Sequence, residues 1–486
     1  MPYDLLIKNV RVVRPGASSV EEADVAIAGE KFAKIGKGLS PGEAKAIYDG
    51  KGRLAFPGVV DAHMHTGIYS PLAEDAVSES RAAAQGGVTS SLNYWRTGQY
   101  YLNKGGRYAK VFPQVLKLSA GHFHVDYGFH LAPMDGTHIS EIEKLVKTHG
   151  VASFKIFMFY GSHGLHGRSD DQRRFLMIKP GERYDLAHFE FVMRGVQAAR
   201  EKLPRLAGQI SLSLHCETAE IMTAYTALAE SNRKLKGLAA YHAARPPHSE
   251  GLAVFIAAYL AHEAALPTIN LLHLSSRKAL SAALQMAEVF PHIDFRREVT
   301  IGHLVLDTNS PAGVLAKVNP PIRPRQDVEF LWQKLLEGKV DWVVSDHACC
   351  RHETKVAKKA FGNIWLAKSG FGGTEYLLPA LVSEGMKRGL SLNRVAALTS
   401  ANPAKRFGLN SKGDIAPGLD ADLALVDPSE TWTIRARESE STQGYTPFEG
   451  IELGCKVKAT FLRGALICEN GKVVGKPRGR YLHRPT

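Results

Sequence analysis

Hydrophobic and polar positions divide the chain into two kinds of region. Residues 1–57 form short alternating or apolar runs that end at turn residues; residues 24–28, for example, are followed by Gly29. A second region of the same kind begins near Gly413 and includes the run 457–462, which ends at Arg463 and Gly464. The two ends of the chain, residues 1–57 and 413–486, are therefore predicted to form one small β domain.

The middle of the chain, residues 58–412, follows a different pattern. Short apolar runs alternate there with longer segments of helical spacing, which predict helices near 190–200, 251–265, 277–289 and 328–337. Alternating strands and helices are typical of a parallel sheet covered by helices. A region of this length accommodates eight such units, so the sequence predicts an α/β fold, a (β/α)8 TIM-like barrel.

Polar residues that bind metals stand where several apolar runs end. His63 and His65 follow the first run of the middle region, and residues two apart in a strand point the same way. Three later runs end at His215, His273 and Asp346. Barrel enzymes keep their active sites at the carboxyl ends of the strands. Imidazole and carboxylate side chains gathered there predict a divalent metal site.

Lys155 lies inside an otherwise apolar run, residues 151–160. Lysine is almost never fully buried without a partner, so its position requires an explanation. One interpretation is an ion pair with a nearby carboxylate. The other is a neutral lysine that reacts with CO2 to give a carbamate, an anion whose two oxygen atoms bridge two metal ions.

Composition narrows the choice of partners and compartment. The chain has 61 Lys+Arg and 48 Asp+Glu, a formal charge of +13, but no aromatic motif of an RNA-binding type accompanies the basic residues. The first residues lack a signal peptide, and no apolar run spans a bilayer. Five unevenly spaced cysteines do not indicate a disulfide framework. We expect a cytoplasmic protein without nucleic-acid or membrane partners.

Taken together, these motifs resemble those of a known family. The pattern D-x-H-x-H, the strand S-F-K-I-F-M-F-Y and the segments L-H-C-E, L-H-L-S and S-D-H look like the cyclic amidohydrolases. These are the hydantoinases or dihydropyrimidinases, allantoinases and dihydroorotases of the amidohydrolase superfamily. The resemblance covers almost the whole chain and implies that the two chain ends form the family's split β-sandwich domain beside the barrel.

The resemblance also implies a binuclear metal site. Its residues would be His63, His65 and Asp346 at the more buried metal, His215 and His273 at the more exposed one, and carboxylated Lys155 (N6-carboxylysine) with a hydroxide bridging both. The bridging hydroxide would attack the ring amide, and Asp346 would carry the proton to the leaving nitrogen. Tyr160 would hydrogen-bond the developing oxyanion. Zinc is the expected metal, with manganese, iron and cobalt as alternatives.

Several positions bear on which family member this is. No arginine follows His65 in residues 66–70, which argues against a dihydroorotase, and the strand ending at Tyr160 favours the hydantoinase or dihydropyrimidinase branch. Two expected substrate contacts depart from that branch: Asn319 stands where a serine is usual, and Ser369 where an asparagine is usual. The polar, basic stretch 163–184 is predicted to be an insertion at the substrate mouth that alters specificity.

Three functions therefore remain in competition. The first is a hydrolase that opens a hydantoin or dihydropyrimidine ring, acting on a small cyclic amide or ureide. The second is an allantoinase-like or cyclic-imide hydrolase with the same metals and a different pocket. The third is a non-catalytic scaffold of the dihydropyrimidinase-related kind, which would bind no metal. The resemblance further implies a homo-oligomer, a dimer or tetramer.

Overall fold

Eight parallel strands form the barrel that the sequence predicts. The computed structural model describes residues 2–166, 176–178, 181–358 and 362–485. The barrel strands are adjacent in chain order: β5 Val59–Met64, β6 Val88–Trp95, β7 Asp126–Leu131, β8 Ser153–Phe157, β9 Ser211–His215, β10 Thr268–Leu271, β11 Asp294–Thr300 and β12 Trp342–Val344. A parallel bridge between Met64 and His347 brings the end of β12 back to β5. The predicted fold class is confirmed.

Helices connect these strands and cover the barrel. In the described part of the chain they are α1 Leu72–Gln85, α2 Tyr108–Ser119, α3 Gly136–His149, α4 Leu186–Lys202, α5 Ala219–Ser231, α6 Gly237–Ala244, α7 Pro247–Glu263, α8 Arg277–Val289, α9 Ile301–Val305, α10 Arg325–Leu336, α11 His352–Lys355, α12 Leu377–Lys387, α13 Leu392–Ala396 and α14 Asn402–Arg406. Shorter turns are 3-10 helices at Pro41–Glu43, Gly313–Ala316, Thr374–Tyr376 and Ala436–Glu438, and a π-helix at Ala397–Ala401.

Local sequence explains where individual helices begin and end. The side chain of Asp135 accepts a hydrogen bond from the His138 backbone N–H at the start of α3, and Gly150 ends that helix in the left-handed conformation. Ser276 caps α8 in the same way. The four predicted helices correspond to α4, α7, α8 and α10, and tertiary packing extends α4 by four residues at its amino end and two at its carboxyl end.

The chain ends build the second part of the molecule. Strands β1 Tyr3–Val12, β2 Glu21–Ala28, β3 Lys31–Gly36, β4 Ala44–Pro57, β13 Leu423–Asp427, β16 Lys456–Leu462, β17 Ala465–Glu469 and β18 Lys472–Val473 form one sheet in the order β18-β17-β16-β13-β4-β1-β2-β3. The pairing is antiparallel except between β1 and β4. A separate pair is formed by β14 Trp432–Thr433 and β15 Glu452–Leu453. The domain boundaries at 57/58 and 412/413 stay a prediction.

The basic stretch 163–184 is described only in part. Arg168, Arg173, Arg174 and Lys179, on which its predicted charge depends, lie outside the described residues. Residues 161–166 are described and lie beside the carboxyl ends of the barrel strands. None of the helices in the described ranges has both the length and the apolar character that crossing a bilayer requires.

Candidate metal centre

Six residues singled out in the sequence meet at the carboxyl end of the barrel. They are His63, His65, Lys155, His215, His273 and Asp346, and all six are buried. Each lies on a strand or within two residues of a strand end. The six meet because β5, β8, β9, β10 and β12 are parallel and their carboxyl ends lie on the same side of the molecule. The structure thus brings together the full set that the resemblance implied.

Short distances join the members of this cluster. His63 Nε2 lies 2.9 Å and His65 Nε2 3.3 Å from Asp346 Oδ1. Lys155 Nζ contacts His63 Nε2 and lies 3.3 Å from His65 Nε2. One donor atom from each of His63, His273 and Asp346 falls within 4.8 Å of the other two. Donor atoms from distant parts of the sequence therefore lie close enough together to coordinate one metal ion.

The backbone at two of these residues is held in a sparsely populated conformation. His273 has a φ of 32° and Asp346 a φ of 54°, both in the left-handed region that non-glycine residues rarely adopt. Such a conformation costs about 1–3 kcal/mol and persists only where the surrounding structure fixes it. Around Asp346, the side chain of Asp61 accepts hydrogen bonds from the backbone and hydroxyl of Ser345.

Partners on the outer side of the rings select which nitrogen faces the cluster. His63 Nδ1 lies 2.7 Å from Glu298 Oε1, and His65 Nδ1 lies 3.0 Å from the hydroxyl of Tyr101. Metal-binding histidines usually donate their second ring N–H to a carboxylate or another acceptor in this way. Both rings therefore present Nε2 to the centre of the cluster.

His215 and His273 present unsatisfied nitrogen atoms. His215 Nε2 lies 2.6 Å from Glu217 Oε2, and that glutamate is held in turn by Arg245. The Nδ1 atoms of His215 and His273 are buried and have no hydrogen-bond partner among the described residues. A buried polar atom without a partner costs about 1–3 kcal/mol and calls for an explanation. A divalent metal ion is the ligand that this donor set fits.

Burial and neighbouring charges set the protonation of the cluster. Burial lowers the pKa of Lys155 to about 8, although Asp346 and Glu298 act in the opposite direction. Burial by itself would raise the pKa of Asp346, but the imidazoles of His63 and His65 hold it well below its usual value. Asp346 is therefore an anion at neutral pH, the form that binds metals.

A small pocket of about 40 Å³ opens above the cluster. Its wall includes Ile68, Tyr69, Tyr101, Phe157, Tyr160, Leu165, Val318, Asn319, Ala348, Ser369 and Gly370. The ring of Tyr160 stacks on Phe157 with centroids 4.6 Å apart, and its hydroxyl is hydrogen-bonded to the guanidinium of Arg96. The predicted substrate contacts Tyr160, Asn319 and Ser369 thus lie in one cavity with four of the predicted metal ligands, His65, His215, His273 and Asp346.

The polar groups of Asn319 and Ser369 are engaged with the protein. The side chain of Asn319 donates to the carbonyl of Leu165 at 2.6 Å and accepts from the hydroxyl of Tyr241 at 2.6 Å. Ser369 donates its backbone N–H to His166 Nδ1, and its carbonyl accepts from the hydroxyl of Tyr69. These two residues therefore shape the cavity through internal contacts.

The sequence interpretation missed the residues that orient the cluster. Glu298, Glu217 and Tyr101 hold three of the imidazoles, yet none was singled out from the sequence. Glu217 had a signal, since it follows His215 by two residues in L-H-C-E. Glu298 stands near the end of a strand in a run that also contains two arginines, and Tyr101 lies in a loop, so neither has a recognisable pattern.

Known proteins resemble the chain over its whole length. The model of the amidohydrolase family matches residues 265–474. An allantoinase from Rubrobacter xylanophilus is 33% identical and covers 99% of this chain and 97% of its own. The dihydropyrimidinase structure from Brevibacillus agri has a TM-score of 0.83 and 27% identity, with 99% and 98% of the chains covered. A D-hydantoinase structure has a TM-score of 0.85 and 26% identity, with 99% of both chains covered.

Proposed function

The chain belongs to the cyclic amidohydrolases, metal-dependent hydrolases of cyclic amides within the amidohydrolase family, and from that premise we propose that its substrate is a ring of the hydantoin type. The observation that carries this proposal is the convergence of four imidazoles, one carboxylate and one lysine beneath a pocket at the carboxyl end of the barrel. A scaffold that had lost its chemistry would have no reason to retain all six.

The choice of ring follows from what the relatives have in common. The relative at 33% identity is named an allantoinase, and the similar structures are named hydantoinase and dihydropyrimidinase. Allantoin is itself a hydantoin that carries a ureido group on its ring. The five-membered hydantoin ring is therefore the proposed core of the substrate. The six-membered dihydropyrimidine ring is the second candidate.

We propose that the cluster holds two divalent ions, with zinc as the first to be tested. His63, His65 and Asp346 would hold one ion, and His215 and His273 the other. Bound there, the ions would supply Lewis acidity, which polarises the amide carbonyl and acidifies a water molecule. The Nδ1 atoms of His215 and His273 support this assignment, because both are buried and have no hydrogen-bond partner among the described residues.

Lys155 fits this site as a carbamate rather than as an ammonium ion. CO2 would add to the neutral Nζ with loss of one proton, forming an N–C bond and a carboxylate with two oxygen donors. As an ammonium, Lys155 would donate to the Nε2 atoms of His63 and His65 and occupy the lone pairs that a metal ion needs. The carbamate would leave those lone pairs free and supply an anion to the metal ions.

Two side chains are proposed to act on the substrate itself. Asp346, held as an anion, would accept the proton of the attacking water and return it to the ring nitrogen as that nitrogen leaves. Tyr160 would donate its phenolic O–H to the carbonyl oxygen as negative charge develops there. Stacking on Phe157 keeps the tyrosine ring in the pocket wall.

A substrate screen of the metal-loaded protein tests the proposed function. Hydantoins, allantoin, dihydrouracil, dihydroorotate and cyclic imides would be compared by the loss of ring ultraviolet absorbance, together with metal analysis. We expect about two ions per chain and the highest kcat/KM on a five-membered ring. A protein that binds no metal and opens none of these rings would be a scaffold, and the proposal would be wrong.

Lys155→Ala tests the carbamate separately. We expect metal affinity and activity both to fall by at least about 100-fold, because the carbamate oxygens between the two ions are lost. Short carboxylic acids added to the variant should restore part of the activity, because they replace those oxygen donors. Lys458→Ala, in the end sheet, is the control and should behave as the wild type. Full activity of Lys155→Ala without added carboxylate would refute the assignment.

A further inference from the structure

Three irregular segments form the pocket wall opposite the cluster. They are residues 161–166 after β8, residues 317–321 before α10 and residues 362–370 before α12, and they contribute Leu165, Asn319 and Ser369 to the cavity. None of the three belongs to the barrel sheet, so the hydrogen bonds that fix the barrel do not fix these segments. Another set of contacts must hold the substrate-facing wall in place.

Lys317 provides the first of these contacts. Its side chain is completely buried, and its Nζ donates to the carbonyls of His166 and Ala367, each at 2.7 Å. One side-chain nitrogen therefore joins all three segments. Its Nζ also lies 4.7 Å from the ring centroid of Tyr241, whose hydroxyl bonds Asn319.

Lys355, in α11, provides the second contact. It too is completely buried, and its Nζ donates to the carbonyl of Lys317 at 2.8 Å and to that of Gly370 at 2.6 Å. The backbone N–H of Gly370 donates to the same Lys317 carbonyl at 3.0 Å. The two lysines therefore act in series, since one of them holds the backbone of the other.

His166 extends this connection across the pocket mouth. Its carbonyl is bound by Lys317, its Nδ1 accepts from the backbone N–H of Ser369 at 3.1 Å, and its Nε2 lies 3.2 Å from the hydroxyl of Tyr100. The four carbonyls that the lysines bind at 2.6–2.8 Å are thus either in the cavity wall or no more than two residues from it.

These lysines differ from Lys412, which is also buried. Lys412 is surrounded by the carboxylates of Asp126, Asp420 and Asp422. In the described part of the chain, neither Lys317 nor Lys355 forms an ion pair, and their Nζ atoms bind backbone carbonyls instead. A carbonyl that moved away would leave a buried N–H donor without a partner, which is costly. The carbonyls are therefore held firmly in position.

We propose that Lys317 and Lys355 are positioning residues that set the shape of the substrate-facing wall, and through it the KM and the preference among ring substrates. The proposal rests on the proposed function for its substrate but not for its geometry. The lysines contact none of the six cluster residues, so their removal should leave the metal ions in place.

Kinetics of Lys317→Met and Lys355→Met test this role. Methionine keeps the apolar length of the side chain and removes its donors. We expect KM for the best ring to rise at least about tenfold while kcat changes less than about threefold, the pattern of lost ground-state binding. The ratio of kcat/KM between a five-membered and a six-membered ring should change by at least about fivefold. Metal content should stay at the wild-type value.

The matched control is Lys458→Met, the same substitution at a partly buried lysine that pairs with Glu430 in the end sheet. It should leave KM and the substrate ratio unchanged. Lys317→Met and Lys355→Met variants with wild-type KM and substrate ratio would overturn the proposal. So would variants that lose metal and kcat together, because the lysines would then support the whole site. If Lys317→Met does not fold, Lys317→Gln and Lys355→Met decide.

Hydrogen exchange gives a readout that needs no substrate. The backbone N–H groups of Ser369 and Gly370 donate to His166 Nδ1 and to the Lys317 carbonyl. In metal-loaded Lys317→Met their exchange should be at least about tenfold faster than in the wild type, because local opening costs less. Unchanged exchange would contradict the proposal. If the wild type opens none of the rings, the proposed function fails, while this exchange measurement still decides the role of the lysines.

Discussion

At the scale of single residues, the hydrogen-bond partners of the imidazoles determine how the proposed metal ligands are oriented. Glu298 shows this most clearly: one of its oxygens contacts His63 Nδ1 and the backbone N–H of His273, and the other accepts from the indole of Trp342. A single buried carboxylate therefore orients two predicted ligands. The ring nitrogen that faces the metal position follows from this contact.

Glu298→Gln should weaken metal binding without removing a ligand. The amide keeps the shape of the side chain but loses the negative charge that polarises His63, and loss of such a partner typically costs 10- to 100-fold in metal affinity, roughly. Competition with a chromophoric chelator would measure the effect. Glu141→Gln, at a buried glutamate that caps α2, is the control, and equal affinities in both variants would contradict the prediction.

Tyr160 is the residue whose proposed role is chemical and not structural. Tyr160→Phe keeps the ring that stacks on Phe157 and removes the hydroxyl. Loss of one oxyanion donor lowers kcat by about 10²- to 10³-fold, and KM should change much less. Tyr184→Phe removes a hydroxyl that accepts from the backbone N–H of Phe157, and it should retain most of the activity. A Tyr160→Phe enzyme with the kcat of the wild type would exclude the proposed role.

At the scale of elements, the sequence predicts the barrel better than it predicts the connections. Helix α8 has the bounds that its apolar spacing and the cap at Ser276 indicate. Apolar runs predict five of the eight barrel strands, β5, β8, β9, β10 and β12, although Ser211 and Ser213 alternate with leucines in β9 and are buried there. Segments 161–166 and 362–370 have no hydrophobic periodicity. Their conformation is held by contacts with Lys317 and Lys355 and not by local helix or strand propensity, so the sequence does not predict it.

The carboxyl-terminal segment also lacks a pattern, yet it is fixed by backbone contacts with β7. Tyr127 donates its N–H to the carbonyl of Arg480, and Leu482 donates to that of Tyr127. Nearby, a Cβ atom at Gly479 would lie 1.9 Å from the carbonyl oxygen of Val125. Only glycine allows the segment to pass this close to the barrel.

Gly479→Ala should therefore displace the segment and destabilise the protein. Overpacking against backbone costs typically about 1–3 kcal/mol, because the neighbour cannot rotate away. Urea unfolding would measure the free energy difference. Gly208→Ala is the control, since a Cβ there meets nothing within 4 Å. Equal stability of the two variants would show that the segment is not held against β7.

At the scale of the whole molecule, the candidate metal centre is formed by the middle of the chain and the end sheet by its two ends. The order of the proposed ligands along the chain predicts the site, since each lies on a barrel strand or within two residues of its carboxyl end. The contact between the two parts could not be predicted, because it joins residues far apart in sequence. Lys412 Nζ lies 2.9 Å from Asp126 of β7, 2.6 Å from Asp422 and 3.2 Å from Asp420, so one lysine connects the barrel to the segment that leads into β13.

Lys412→Met tests whether this connection stabilises the molecule. The variant leaves Asp126 and Asp422 buried with less positive charge, which should lower the free energy of unfolding by about 3–5 kcal/mol. Burial would lower the pKa of Lys412, but its carboxylate partners raise it, so the wild-type contribution is present below the unfolded pKa and persists through neutral pH.

The pH dependence of the variant gives the sharper result. Without Lys412, the buried carboxylates should have raised pKa values, so they bind protons more readily in the folded state than in the unfolded state. The loss of stability should then be larger at about pH 8 than at about pH 5, because acid neutralises the uncompensated carboxylates. Urea unfolding at both pH values measures it. Lys458→Met should show a small and pH-independent loss, since its partner Glu430 is partly exposed. A Lys412→Met loss as small as that of Lys458→Met would show that the carboxylates do not depend on this lysine.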